Sequence, residues 1–339
     1  MSGFRVLIDP HFRTMDEIFD PSDLARLRRF ATVVWGRDEP MPADRFGEAV
    51  DTVDAVVFGG WRHGSSWLEG SSPPRTLLEV AGGHEHRQLD YDRALAAGIA
   101  IGSCAPAFGA VVAEHGLALA LACRRGLVQA DRRMRQGDER WLHEGNAGNG
   151  TLLGARVGFV GCGGISVHLQ AMLAPFAVEL LGYDPPMPVS VLEGRGIRPA
   201  SLDEIFASAD VVFVLAAPTP ENTGLVDDRL LAGLGPHQSV IVLSRASLVD
   251  FDALVARSAE RGFRFGTDVF PTEPAPKDDP IRSADHGVLS PHLAGALPAA
   301  LRGIGRLVVD DLEAIAAGLA PQGMQYLSAA NAAGLRQTP

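Results

Sequence analysis

Apolar residues in this chain come in short runs separated by stretches where they recur every three or four positions. A run of four to six bounded by turn residues reads as a buried strand, and the longer spacing reads as a helix with one buried face. In the first hundred residues the runs fall at Arg5–Ile8, Thr32–Trp35, Ala55–Phe58, Thr76–Val80 and Ile99–Gly102. Helical spacing lies between them, at Pro21–Phe30 after the capping candidate Asp20, at Pro42–Val50 and at Tyr91–Ala97. One long helix is expected from Phe108 to about Arg135, followed by a Gly/Asn-rich loop at Glu144–Gly150. A second series of runs then occupies 156–160, 178–183, 211–215, 239–243, 263–268 and 287–290, again alternating with helical stretches. Among these, Ser201 and Glu204 have the spacing of a capping box. Helical spacing returns from Gly295 to Gly318, and that helix is expected to leave the second series and pack back on the first. Strands alternating with helices imply parallel, doubly wound sheets, so the chain predicts an α/β protein with two such domains.

The sharpest local signal opens the second series. The strand Arg156–Val160 feeds directly into Gly161-Cys162-Gly163-Gly164-Ile165-Ser166. Gly161 permits a tight turn and Gly163 lets the backbone approach a pyrophosphate, whose charge then rests against the free N–H groups of the following helix. Ser166 stands where the third glycine of this Rossmann fingerprint is usual. The next strand ends in Asp184, placed to accept hydrogen bonds from an adenosine ribose and to repel a 2′-phosphate. Gly161, Gly163, Gly164, Ile165 and Asp184 are therefore expected to bind NAD rather than NADP.

Composition narrows the picture. The chain has 339 residues, 46% hydrophobic and 21% charged, which suits two globular domains with buried cores. A net charge of −11, from 41 acidic and 30 basic residues, argues against a nucleic-acid or membrane-surface partner, so an anionic substrate must be met by local cations. The three cysteines, Cys104, Cys123 and Cys162, have no disulfide or zinc spacing and read as reduced thiols. With no charged-then-apolar leader and no apolar run of membrane length, a cytoplasmic protein is expected. His84 and His86 stand two apart in a loop with no third ligand, so no metal site is expected.

Three polar segments follow successive strands of the second series: Ser244-Arg245, Asp268 through Glu273, and Ser290-Pro291-His292. Carboxyl ends of neighbouring parallel strands line one crevice, which predicts that an arginine, a glutamate and a histidine converge beside the nicotinamide. The chemistry suits a 2-oxo acid. Histidine exchanges a proton with the carbonyl oxygen, glutamate fixes its tautomer, and arginine grips a carboxylate with a planar fork. In the first series, Arg62 in the loop Gly60–Gly64 is a second candidate anion clamp.

With these residues the chain resembles the D-isomer-specific 2-hydroxyacid dehydrogenases. The matching segments are Val112–His115, Val157–Gly163, Leu215–Gly224, Arg245–Asp250, Gly266–Pro274 and Ser290–Gly295. The resemblance implies Arg245 as the substrate arginine, His292 as the acid/base and Glu273 as its partner. It further implies cofactor contacts from Ala217, Pro218, Ser244, Asp268 and Gly295. It implies a discontinuous, flavodoxin-like substrate domain at 1–113 and 296–339, a Rossmann NAD domain at 114–295 with a cleft between them, and a homodimer. With few residues after the return helix, no added regulatory domain is expected. Two segments depart from the family's pattern. Val242-Leu243-Ser244-Arg245-Ala246 replaces Asn-x-x-Arg-Gly, and Gly82-Gly83-His84-Glu85-His86 replaces a Gly-x-Gly substrate loop. Gly83, His84 and Glu85 are thus the expected substrate contacts of the first domain. The expected activity is NAD-dependent interconversion of a small 2-oxo acid and its D-2-hydroxy acid. The alternative is a nicotinamide-sensing interaction protein on the same fold.

Overall fold

A strand that is apolar on both faces is stable only in a sheet covered on both sides, and each predicted run becomes a strand of one of two sheets. The computed structural model describes residues 3–70, 72–84, 86 and 88–328. Its contacts divide the chain into two compact units, one running to Phe108 and resuming at Ala296, the other Gly109–Gly295. The first crossing falls at 108/109, with the whole helix that begins at Gly109 in the second unit, whereas the expected boundary was 113/114.

In the first unit β1 (Phe4–Asp9), β2 (Ala31–Trp35), β3 (Ala55–Phe58), β4 (Thr76–Glu79) and β5 (Ala100–Ser103) lie parallel in the order β5-β4-β3-β1-β2. Alternate side chains go to opposite faces. Val6, Ile8, Val57 and Leu78 join Leu301, Ile304, Val308 and Leu312 of the helix Pro298–Ala316, while Leu7, Val56, Leu77 and Ile101 pack with Phe46, Trp61 and Trp67. A further strand, Gln325–Tyr326, adds antiparallel to β5. Its two residues carry no readable period, and sequence reasoning missed it. Buried Asp311 of the return helix holds this segment, accepting from the amides of Gln322 and Gly323 through Oδ1 and from the Met324 amide and the Tyr326 hydroxyl through Oδ2.

The second unit has β6 (Arg156–Val160), β7 (Glu179–Tyr183), β8 (Arg198–Pro199), β9 (Val211–Val214), β10 (Ser239–Val242), β11 (Arg264–Thr267) and β12 (Gly287–Leu289). They form an all-parallel sheet in the order β12-β11-β10-β9-β6-β7-β8, with the reversal at β6 that marks a doubly wound nucleotide fold. Only the two-residue β8 was not predicted.

Two local expectations need correction. The helix expected from Phe108 to Arg135 is two helices, Gly109–Arg125 and Leu127–Gln136, broken at Gly126, whose φ is +56°. Just before the break Arg124 turns inward and donates to the carbonyls of His237 and Thr151. A Cβ at Gly126 would lie 2.8 Å from Asn149 Oδ1. The capping box at Ser201 is only half formed. Ser201 Oγ accepts the Glu204 amide, but the Glu204 carboxylate goes to Arg198 at 2.6 Å.

Candidate active site

The glycine turn joins β6 to the helix Gly164–Leu173. Gly161 has φ +95°, and a Cβ there would sit 2.3 Å from the backbone nitrogen of Ala216, so the turn itself demands glycine. At Gly163 and Gly164 a Cβ would meet no protein atom within 4 Å. Nothing in the protein's own packing requires glycine at those two places, which leaves open the close approach of a ligand. The helix beginning there has no side-chain cap on Gly163, so its first amides, Ile165 among them, have no intrahelical partner. Asp184 accepts the Cys162 amide at 2.7 Å and so braces the turn from the end of β7. These features fit a dinucleotide: an open glycine cradle, an uncapped helix N-terminus and a carboxylate at the adjacent strand end. Farther along the same crevice edge, Ala217 O accepts the Asn222 side-chain amide, and Pro218 follows in the loop that Thr219 and Asn222 close at 2.7 Å.

Three neighbouring strands, β10, β11 and β12, deliver the remaining candidates. After β10, Ser244 donates its hydroxyl to Ala216 O, tying the ends of β9 and β10, and Arg245 Nη1 donates to Ser244 O at 3.0 Å. After β11 comes Asp268, 2% exposed. Its Oδ1 accepts from Ser290 Oγ at 2.6 Å and the Leu293 amide at 2.8 Å, and its Oδ2 accepts the Ala294 amide at 2.9 Å. Asp268 therefore shapes the loop after β12 that ends at Gly295. His115, on the helix Gly109–Arg125, places Nε2 3.5 Å from the same carboxylate. Sequence reasoning gave His115 no role, although it lies in a matching segment.

That loop carries His292. Its φ is +53°, and its Nδ1 lies 2.6 Å from Glu273 Oε2, whose partner oxygen Oε1 accepts the Phe270 amide at 2.9 Å. A proton on Nδ1 satisfies the pair and leaves Nε2 as the working nitrogen. Both side chains reach solvent, His292 at 47% and Glu273 at 36% exposure.

In the first unit, Asp9, Phe58 and Glu79 pair in register across β1, β3 and β4 at the carboxyl edge of the sheet. Buried Asp9 accepts from Arg62 Nη2 at 2.6 Å, and Arg62 Nη1 donates to Gly60 O. Buried Glu79 receives His84 Nδ1 at 2.8 Å, with His86 Nε2 at 3.5 Å and the Tyr91 hydroxyl at 3.4 Å. His84 and His86 thus converge on one carboxylate. Gly83 is half-buried in the same loop, and Glu85 lies outside the described residues. The buried acids were missed, though Asp9 directly follows one apolar run and Glu79 lies inside another. Among the described residues no group of three or more His, Cys, Asp or Glu could hold a metal ion.

Fold and site together define a doubly wound dinucleotide-binding domain carrying an arginine and a glutamate–histidine pair on adjacent strand ends. Residues 117–294, just over half the chain, match the family described as D-isomer specific 2-hydroxyacid dehydrogenase, NAD binding domain. The chain belongs to that family. It is 30% identical to the D-3-phosphoglycerate dehydrogenase of Mycobacterium tuberculosis over 88% of this chain and 55% of the relative. It spans about half the length of the curated phosphoglycerate dehydrogenases it matches. It is 26% identical to the glyoxylate reductase of Pyrococcus furiosus, over 86% of this chain and 88% of that one. A solved phosphoglycerate oxidoreductase from Rhizobium etli superposes with a TM-score of 0.84 at 30% identity, covering 96% of this chain and 98% of the other.

Proposed function

We propose that the protein is an NAD-dependent dehydrogenase that interconverts a small 2-oxo acid and its D-2-hydroxy acid. The observation that carries this reading is the 2.6 Å pair of His292 Nδ1 and Glu273 Oε2, on a nucleotide-binding sheet beside the strand that leads to Arg245. When bound, the nicotinamide supplies or accepts the hydride. His292 gives a proton from Nε2 to the substrate oxygen in reduction and takes it back in oxidation. Glu273 holds the ring at Nδ1 and balances its charge when both nitrogens are protonated. Arg245 grips the substrate carboxylate. The Asp184 carboxylate at the end of β7 supports NAD over NADP. Relatives named for phosphoglycerate and for glyoxylate supply the first substrates to try.

The test is NADH and NADPH absorbance with a panel of 2-oxo acids, beside His292→Ala. The variant is expected to lose about 10²- to 10⁴-fold in kcat while keeping NADH affinity within about twofold. Equal turnover in the variant refutes the assignment. NADH binding with no acid reduced favours a nicotinamide-sensing protein instead.

A homodimer belongs to the same proposal. Leu127, Met134, Trp141 and Leu142 are 62%, 56%, 66% and 84% exposed in one short segment, an apolar surface that a second copy would cover. Light scattering is expected to give twice the chain mass, falling to one mass in Trp141→Glu. A monomeric parent rejects it. Reduced, buried thiols support the cytoplasmic placement, and no helix among the described residues is long and apolar enough to cross a membrane.

A further inference from the structure

Ser166 occupies the third small-residue position of the glycine turn, yet it is fully buried and its hydroxyl is bonded in both directions. It donates to Gly163 O at 2.7 Å and accepts from Arg195 Nη2 at 2.9 Å. The same guanidinium donates through Nη1 to Cys162 O at 2.6 Å. Arg195 is itself anchored, since its carbonyl accepts the side-chain amide of Gln170, on the helix that the turn begins. Opposite the guanidinium, Asp184 takes the Cys162 amide. The residue at the heart of the turn is therefore gripped at both its N–H and its C=O. The bonds from Arg195 and Ser166 fall on the carbonyls of Cys162 and Gly163, which leaves the amides at the helix start for an anion.

We propose that Arg195 and Ser166 form a clamp that sets the shape of the glycine turn and thereby the affinity for the nicotinamide dinucleotide. Both are positioning residues, and the inference rests on the cofactor reading above. A glycine at 166 removes the hydroxyl that links Arg195 Nη2 to Gly163 O and leaves a partly buried guanidinium N–H without that acceptor, a loss larger than the gain from a smaller residue. Restoring the usual third glycine therefore weakens binding in this chain.

The experiment uses the full-length protein with Ser166→Gly, Arg195→Met, Arg195→Lys and the double variant Ser166→Gly/Arg195→Met. NADH affinity is read by fluorescence titration, and amide hydrogen exchange at residues 161–166 is read without cofactor. Ser166→Gly and Arg195→Met are each expected to weaken NADH about tenfold and to speed exchange in the turn. The double variant is expected within about twofold of Arg195→Met alone, because both substitutions break one unit. Arg195→Lys restores part of the affinity. If Arg195→Met does not fold, Ser166→Gly and Arg195→Lys carry the comparison. Ser166→Gly binding NADH as tightly as the parent, or single effects that multiply in the double variant, overturns the clamp while the proposed function stands. A parent that binds neither NADH nor NADPH refutes the proposed function, and with it the clamp's role in affinity.

Discussion

His292 adopts a left-handed backbone conformation that costs a residue with a side chain roughly 1–2 kcal/mol, and its surroundings must supply that energy. Asp268 does so, because three donors of the loop 290–294 converge on its buried oxygens. Asp268→Ala strips all three of their acceptor. The expected result is a loss of about 3 kcal/mol in urea unfolding and at least a tenfold fall in kcat. An unchanged urea midpoint would show that the loop holds its shape without the carboxylate. The histidine and its glutamate were legible in the sequence because each follows a strand and pairs two unambiguous chemistries. The role of Asp268 as a loop anchor was not. Nothing in the neighbouring letters says that this carboxylate will also accept amides 25 and 26 positions away. Arg62 is a similar case, an expected anion clamp that spends one nitrogen on Asp9.

Elements that bury a long face announce themselves, and those tied by a single side chain do not. The parallel strands of three or more residues in both sheets were readable from their apolar runs, whereas the two-residue β8 was not. Gln325–Tyr326 forms because Asp311 collects the backbone that leads into it. Asp311→Ala is accordingly expected to free this edge strand, with about 2–3 kcal/mol lost and faster proteolytic cleavage confined to the region near 320–328. Cleavage at the parent rate would mean that sheet pairing alone holds it. The broken helix at Gly126 teaches the same distinction. The spacing of apolar residues continues across the break, but the inward turn of Arg124 is a tertiary event.

Across the molecule the thiols report on burial. Cys104 lies in the first unit and Cys123 in the second, and burial pushes both thiols from the ordinary 9.0 up to about 12. Between those values the unfolded chain gives up a proton that the folded chain keeps. This contribution to stability is therefore whole below pH 9 and declines as pH rises toward 12, by about 1.4 kcal/mol per pH unit for each thiol. Unfolding free energies measured from pH 9 to 11 are expected to fall with the sum of these slopes, and Cys123→Ala is expected to flatten part of the fall. Native protein should also resist thiol labelling, and the two cysteines label as their own units open. Rapid labelling of either without denaturant would contradict the burial.

What the sequence determined by itself was the local order of things: two series of strands and helices, a glycine turn with an acid at the next strand end, and an arginine, a glutamate and a histidine after successive strands. These are properties of neighbours along the chain, set by periodicity and turn chemistry, and they survive whatever the rest of the molecule does. The tertiary structure alone decided which buried charge meets which partner. Asp9 with Arg62, Glu79 with two histidines, Asp268 with its loop and Ser166 with an arginine 29 residues away are pairings across folded space. A buried polar group must find a partner, but which one depends on how the sheets close, and no local pattern encodes that choice.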